Sequence, residues 1–454
     1  MMIEIPYQEP IAVAALLANR HRLAFLDSAL PQQGFAHPDL CRWSYIAVDP
    51  VSVFTILADV AYLDHVAQMG DPLLALRAEL ADRKYEHIAD GPPFQSGAIG
   101  TLSYEAAHLF EALPWPRLNT SEPEVEFCFY DVVLAFDEPS RRMFICGPGA
   151  ANFQMPDTHP VSSSTAQAAH VSEWQDSRTR SAYEAEVAAL VDAIRDGHIF
   201  QANLSHCFEA ECDSQPDALL TYQMLRAANA APFSALLVNG DKFVASTSPE
   251  RFFKLQNGDV EMRPIKGTAR RHADPEADRQ AATALSYSEK DRAENTMIVD
   301  LLRNDLSRVA LPETVEVPVL CGVETYRNLH HLVSVVTARL KPGRDVVDLL
   351  AAIFPGGSIT GAPKLKAMEL IAATERAPRG VYCGAIGWIG DNGDADFNIA
   401  IRTLVGKGKT VSVHAGGGIT LLSDPADEYE ETLLKAETIL RALNPTHSPE
   451  SANQ

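Results

Sequence analysis

The chain has 454 residues, 46% of them hydrophobic and 22% charged, enough to bury a large core in two or three domains or in one large α/β unit. Its formal net charge of -22 disfavours nucleic acid and anionic membrane as partners, so an anionic small substrate would need a local positive pocket. The seven cysteines are odd in number, scattered and never spaced Cys-x-x-Cys. They read as reduced thiols of a cytoplasmic protein, and no stretch approaches the eighteen apolar residues of a membrane span.

Residues 1–146 carry alternating strand-like runs at 43–48, 51–57, 97–104 and 127–136, the pattern of a sheet-rich α+β region, and the first thirty residues lack a signal pattern. Residues 147–178 are rich in Gly, Pro, Ser, Thr, Ala and Gln without apolar periodicity and read as a linker. An amphipathic helix is expected over 182–195, with Val187, Leu190, Val191 and Ile194 on one face and Gly197 at its end. It opens a region of strands and helices running over 179–443, followed by a polar tail at 444–454.

Within that region Pro264-Ile265-Lys266-Gly267-Thr268 sets one lysine between a proline-fixed strand end and a glycine turn. The side chain is held, and a held, desolvated amine can become a nucleophile; the plain alternative is a surface turn lysine. A helix over about 288–303 puts Glu294 on the apolar side, ahead of Ile298 and Leu301. A second helix, opened by Asp424-Pro425, carries Glu428, Glu431 and Lys435 within about 60° of one another, in line with Ile439. Inward carboxylates are costly unless paired or bound to a cation. Two such helices without a His or Cys cluster suit Mg²⁺ better than zinc, although an exposed acid pair salted to Lys435 would look the same in sequence.

The loop at 355–364 imitates a phosphate loop, but Ala362-Pro363 follows Gly361 where the nucleotide pattern needs Lys-Ser/Thr, so it suits a carboxylate rather than a nucleotide. Arg402, in a strand-like run over 397–404, needs a carboxylate from the protein or from a substrate. A strand over 410–414 is expected to turn through Gly416, Gly417 and Gly418, whose amides could meet a carboxylate or simply make a bend; no helix follows, which excludes a dinucleotide fingerprint.

Taken in order, these runs resemble the chorismate-utilising enzymes. The match also covers Gly197 to Ser205, Ser248-Pro249-Glu250-Arg251-Phe252, 293–308, His331-Leu332-Val333-Ser334, Tyr382-Cys383-Gly384 and 423–435. The resemblance implies an α+β fold of antiparallel sheets packed as a sandwich with helices outside. Lysine in the Pro-Ile-x-Gly-Thr run resembles the aminodeoxychorismate synthase branch, whereas anthranilate synthases typically carry alanine there. Lys266 is then expected to attack C2 of chorismate and expel the C4 hydroxyl, after which ammonia enters at C4, on the route to p-aminobenzoate and folate. Glu250 resembles the family's acid/base, and Gln201 stands where branches that use water carry a basic lysine. The resemblance further implies Glu294, Glu431 and Glu428 as Mg²⁺ ligands. It gives Arg402, Tyr382 and the amides of Gly416, Gly417 and Gly418 as carboxylate holders, with Thr268, Thr360 and Lys435 nearby and His331 in the site without an assigned role. It implies a separate glutaminase subunit as ammonia source, since no cysteine sits in a Gly-x-Cys-x-Gly turn. The run Phe25-Leu26-Asp27-Ser28 lines a tryptophan pocket in relatives, which would place Ser28 there; Asp27 replaces the usual glutamate, His198 the usual aspartate, and 24–30 also reads as plain core strand. The alternatives are an anthranilate synthase component I and a non-catalytic ligand-sensing subunit.

Overall fold

The computed structural model describes residues 1–29, 38–83, 85–114, 122–156, 169, 171–326 and 329–443. The expected tail, and 157–168 of the expected linker, lie outside these residues. Two antiparallel sheets of twelve strands each pack face to face. Among the described residues ten α-helices accompany them, and the α+β sandwich expected from the sequence is the observed architecture.

The layering follows from which faces are apolar. Tyr45, Phe94, Ile99, Tyr130, Ala135 and Trp388 fill the space between the sheets, with Phe94 stacked on Trp388 at a centroid distance of 4.9 Å. The outer face of one sheet is covered through Ile298, Leu302, Leu349 and Ile353, and that of the other through Val13, Leu17, Tyr222 and Ile439. Strands covered on both faces read as apolar runs, as in Ala385–Gly390 and the first four residues of Val133–Asp137, rather than alternating.

Each sheet joins a block of strands from before residues 147–178 to a block from after them. Ala24–Asp27 pairs with Phe233–Asn239 in one, and Gly97–Leu102 with Ala385–Gly390 in the other.

Four local expectations are corrected. The run at 127–136 is two strands, Val125–Tyr130 and Val133–Asp137, parted at 131–132. The run at 397–404 is the end of Ala395–Ile399 in one sheet and the start of Thr403–Lys407 in the other, so the chain crosses between sheets through Arg402, whose φ is 52°. The three glycines do not turn: Thr410–Ile419 is one strand, paired over its whole length with Gln201–Glu211. Lys266 is not in a turn either but in the strand Ile265–Arg270, where a bulge at Gly267 (φ 73°) shifts the register against Leu329–Arg339.

Candidate active site

Two neighbouring chain crossings form the floor of the cleft. Ser248 ends one strand and Arg251 begins another in the opposite sheet, leaving Glu250 between them; Ile399 and Thr403 do the same around Arg402. The crossings are tied together. Ser248 Oγ donates to the Ile399 carbonyl at 2.6 Å, the Ile399 N–H to the Glu250 carbonyl at 3.0 Å, and the Thr247 N–H to the Arg402 carbonyl at 3.0 Å.

Glu250 is 5% exposed, and burial pushes its carboxyl up to about 7 against the opposing pull of Lys266 and Ser358. The bulge at Gly267 directs Lys266 inward, and glycine is required there because a Cβ would lie 2.8 Å from Asp291 Cγ. Lys266 Nζ donates to the Ser358 carbonyl at 3.2 Å. Burial lowers the amine's pKa, with Glu294 and Glu250 opposing and Lys435 assisting. An amine eased toward its neutral form beside an acid that titrates near neutrality has the make-up that a nucleophile with a proton carrier needs.

Beyond the bulge, Thr268 pairs with His331 across the strands, and Thr268 Oγ1 lies 2.9 Å from His331 Nδ1. Burial lowers His331 to about 4, so the ring is neutral at pH 7. Arg402 is lowered by burial and, among the described residues, faces no carboxylate; its electrostatic partner is Tyr382. A half-buried guanidinium with no carboxylate beside it is suited to receive an anion. Tyr382 is 6% exposed, stacks on His414 at 5.3 Å, and has its hydroxyl raised well above the ordinary range by burial.

The glycine strand forms the far wall. Leu404 pairs with Val413, so the strand that begins at Thr403 leaves the Gly416 to Gly418 edge without a strand partner, next to Arg402. A Cβ at Gly418 would strike the Gln201 amide nitrogen and push that side chain aside; Gln201 is 1% exposed and its Oε1 has no hydrogen-bond partner. On the other face, a Cβ at Gly417 would meet Glu428 Oε2 at 3.1 Å and Lys435 Nζ at 3.5 Å.

Both acidic helices form. Glu289–Ser307 is capped by Ser288, and Pro425–Leu443 by Asp424, which accepts from the Ala426 and Asp427 amides. Glu294 and Glu428 are raised by burial; Ser423 Oγ donates to Glu428 at 2.6 Å. Burial pushes Glu431 up as well, but Lys435, bonded at 2.7 Å, outweighs it and holds that carboxyl below the ordinary value. Among the described residues no set of three His, Cys, Asp or Glu side chains stands ready-formed around a metal. The all-carboxylate donor set nevertheless fits a hard divalent ion, and two of its members remain desolvated without an ion-pair partner.

Thr360 is 1% exposed, but its hydroxyl donates to the Gly356 carbonyl at 3.0 Å, so it braces the loop. Ser28 lies apart from the cleft. Its Oγ donates to the Trp43 carbonyl at 2.8 Å, and it lines a separate cavity of about 100 Å³ with Asp27, Trp43 and Phe233.

Two contributors carried no signal in the sequence. The buried pair Glu375 and Arg379 clamps the walls: Arg379 donates to the Asn203 and Ile359 carbonyls at 2.7 and 3.2 Å, and Glu375 accepts from the Ser205 amide at 2.8 Å. An i to i+4 acid-base pair reads as surface chemistry until its burial is known. Ser358 lies inside the 355–364 loop, but a lone serine has no periodicity to mark it.

A sandwich whose seam brings together a desolvated amine, a neutral-range acid and a guanidinium without a carboxylate partner is suited to the chemistry of small anionic substrates. The chain matches the family described as chorismate binding enzyme over residues 35–441, and it belongs to that family. It is 38% identical to aminodeoxychorismate synthase component 1 of Salmonella typhimurium, over 88% of this chain and 90% of that one. It is 36% identical to anthranilate synthase component 1 of Streptomyces coelicolor, over 96% and 86%. The crystal structure of anthranilate synthase component I from Streptococcus pneumoniae superposes with a TM-score of 0.78 at 31% identity, covering 88% of this chain and 92% of that one. No helix among the described residues is long and apolar enough to cross a membrane.

Proposed function

We propose that the chain aminates chorismate at C4, giving 4-amino-4-deoxychorismate. The observation that carries this reading is the Lys266 amine, inward-facing, eased toward neutrality and set beside Glu250. Lys266 attacks C2, the ring double bond shifts, and the C4–O bond breaks as Glu250 supplies the proton that lets hydroxide leave as water. Ammonia then attacks C4, the double bond returns, and the C2–N bond to Lys266 breaks, freeing the lysine. Arg402 and Tyr382 bind one substrate carboxylate beside the open Gly416 to Gly418 edge. Glu294, Glu428 and Glu431 would hold Mg²⁺, which when bound supplies charge for the other carboxylate; Glu431 would exchange its bond to Lys435 for the ion. Gln201, a neutral amide, cannot activate water at C2.

The ammonia would come from a separate glutaminase subunit. Burial pushes the Cys41, Cys146, Cys207 and Cys383 thiols up to about 12, far from activation, and the relatives above carry the name component 1.

The test is product identification by mass spectrometry after incubating the pure chain with chorismate, Mg²⁺ and ammonium. The C4 amine is expected. Anthranilate, seen by its fluorescence, would select amination at C2 with pyruvate loss, which the 36% identical anthranilate synthase favours as the second reading.

A further inference from the structure

Ser358 is bonded to Lys266 and shares a small cavity with Glu250, the two groups to which the chemistry above is assigned. It lies in the short turn Gly357–Ile359 and is 7% exposed, with its carbonyl accepting from Lys266 Nζ at 3.2 Å. Its hydroxyl is buried without a hydrogen-bond partner. It nonetheless lies near enough to Glu250 to pull that carboxyl down against burial, and both residues line one cavity of about 10 Å³ walled by Phe252, Ile298 and Leu302.

The backbone that carries that hydroxyl is held by its surroundings. Gly357 is pressed against Leu301, 2.7 Å from where a Cβ would be; the Thr360 carbonyl accepts from the Asn203 amide at 2.7 Å, and the Ile359 carbonyl from Arg379 at 3.2 Å. A buried, unsatisfied hydroxyl weakens the resting fold. Its presence is accounted for if the partner appears only during the reaction. Hydrogen bonds to an ionised carboxylate are stronger than those to a neutral acid, so a donor aimed at Glu250 acts when Glu250 has lost its proton.

We propose that Ser358 is a positioning residue: its hydroxyl donates to the Glu250 carboxylate formed as the C4–O bond breaks, and its carbonyl keeps the Lys266 amine at the ring. The proton passes from Glu250 to the departing oxygen, the C4–O electron pair leaves with that oxygen as water, and Ser358 keeps its own proton throughout. The charged group facing Glu250 is Lys266; the guanidinium of Arg251 is engaged by Asp396 and Glu261 and that of Arg263 by Glu324.

The inference rests on Glu250 as proton donor, and its test separates the two. Wild type, Ser358→Ala, Ser358→Thr and Glu250→Gln are compared with chorismate, Mg²⁺ and ammonium for kcat, KM, pH profile and thermal midpoint. Ser358→Ala is expected to lower kcat by about 10- to 100-fold while KM changes by less than about threefold. Its Glu250-dependent limb should move to higher pH, because a group that lowers that carboxyl is gone. Its thermal midpoint should hold or rise, since the deleted hydroxyl has no partner to lose. Ser358→Thr is expected to restore kcat; if its methyl prevents folding, Ser358→Cys, a weaker donor, should fall between wild type and Ser358→Ala. An unchanged kcat in Ser358→Ala, an unmoved limb, or a loss of activity matched by a lower thermal midpoint would overturn the proposal. Full activity in Glu250→Gln would bring down the reading of Glu250, and Ser358 with it. An inactive Glu250→Gln beside an unaffected Ser358→Ala would bring down the Ser358 proposal alone.

Discussion

Lys266 and Glu250 share a cost: burial disfavours the charged form of each, lowering the amine and raising the acid to about 7. Lys266→Ala is expected to remove formation of the C4 amine altogether, by mass spectrometry, with the fold retained; undiminished C4 amine from that variant would dismiss lysine as the nucleophile. For Glu250 the sign can be worked out. A carboxyl raised from 4.5 to about 7 leaves stability unaffected below about pH 4.5, lowers it as pH rises through that window, and costs in full above about 7, roughly 3 kcal/mol. Glu250→Gln should therefore be inactive yet more stable than wild type at pH 8, with the gain fading toward pH 5, as read from thermal midpoints. His414 has the opposite sign. Lowered to about 4 by burial, it adds stability that is complete above about 6.5 and is lost as pH falls through 4, and His414→Phe should flatten that acid limb while keeping the stack on Tyr382. At this scale the sequence was informative. Lys266, Glu250 and the acids were marked by motif or by breaking an apolar stripe, whereas Ser358 and the Glu375–Arg379 clamp break no pattern and emerge only from burial and contact.

At the scale of elements, helices are legible because caps and period are local: Asp424 caps the helix expected to open there, and the helices expected over 182–195 and 288–303 form with Thr179 and Ser288 as caps that the period alone does not mark. Strand ends were less so. The 397–404 run is apolar on both sides of Arg402, so nothing local reveals that the chain changes sheets there, and the three glycines read as a turn although cross-strand packing requires them within a strand. Their packing differs, which makes a test. A Cβ at Gly416 would strike the Leu204 backbone carbonyl, which cannot move, whereas at Gly418 it meets the tip of the Gln201 side chain, which can. Gly416→Ala should destabilise the fold by about 1–3 kcal/mol or more. Gly418→Ala should fold near wild-type stability but with Gln201 displaced and activity reduced. Glu431→Gln should raise the Mg²⁺ concentration needed for half-maximal activity on the order of 10-fold, leaving thermal stability in metal-free buffer close to wild type; an unchanged Mg²⁺ titration would remove Glu431 from the ligand set.

Across the whole molecule, composition conveyed class but not connectivity. The 147–178 segment parts two compositional regions, yet Ala24–Asp27 and Gly97–Leu102 each join a block of strands from before it to a block from after it within one sheet. Such pairings join residues over two hundred positions apart, and no local pattern encodes them. A fragment of residues 179–443 should therefore fail to fold alone, and the intact chain should unfold with coincident near- and far-ultraviolet circular dichroism transitions. A separately folding fragment would refute that interdependence.

The laced pair of crossings beneath the cleft fixes a length. Because Glu250 and Arg402 ride on segments bonded to each other, small breathing of the sandwich should leave the gap between the proposed proton donor and the proposed anion receptor unchanged. Lys266, by contrast, stands on a bulged strand at the rim of its sheet, outside that laced pair. The seam acts as a caliper set for one spacing between leaving group and carboxylate. Ring acids with that spacing altered should be rejected however well they fill the cleft, and retuning the chemistry to a different carbon should succeed through the rim strand before it succeeds through the seam.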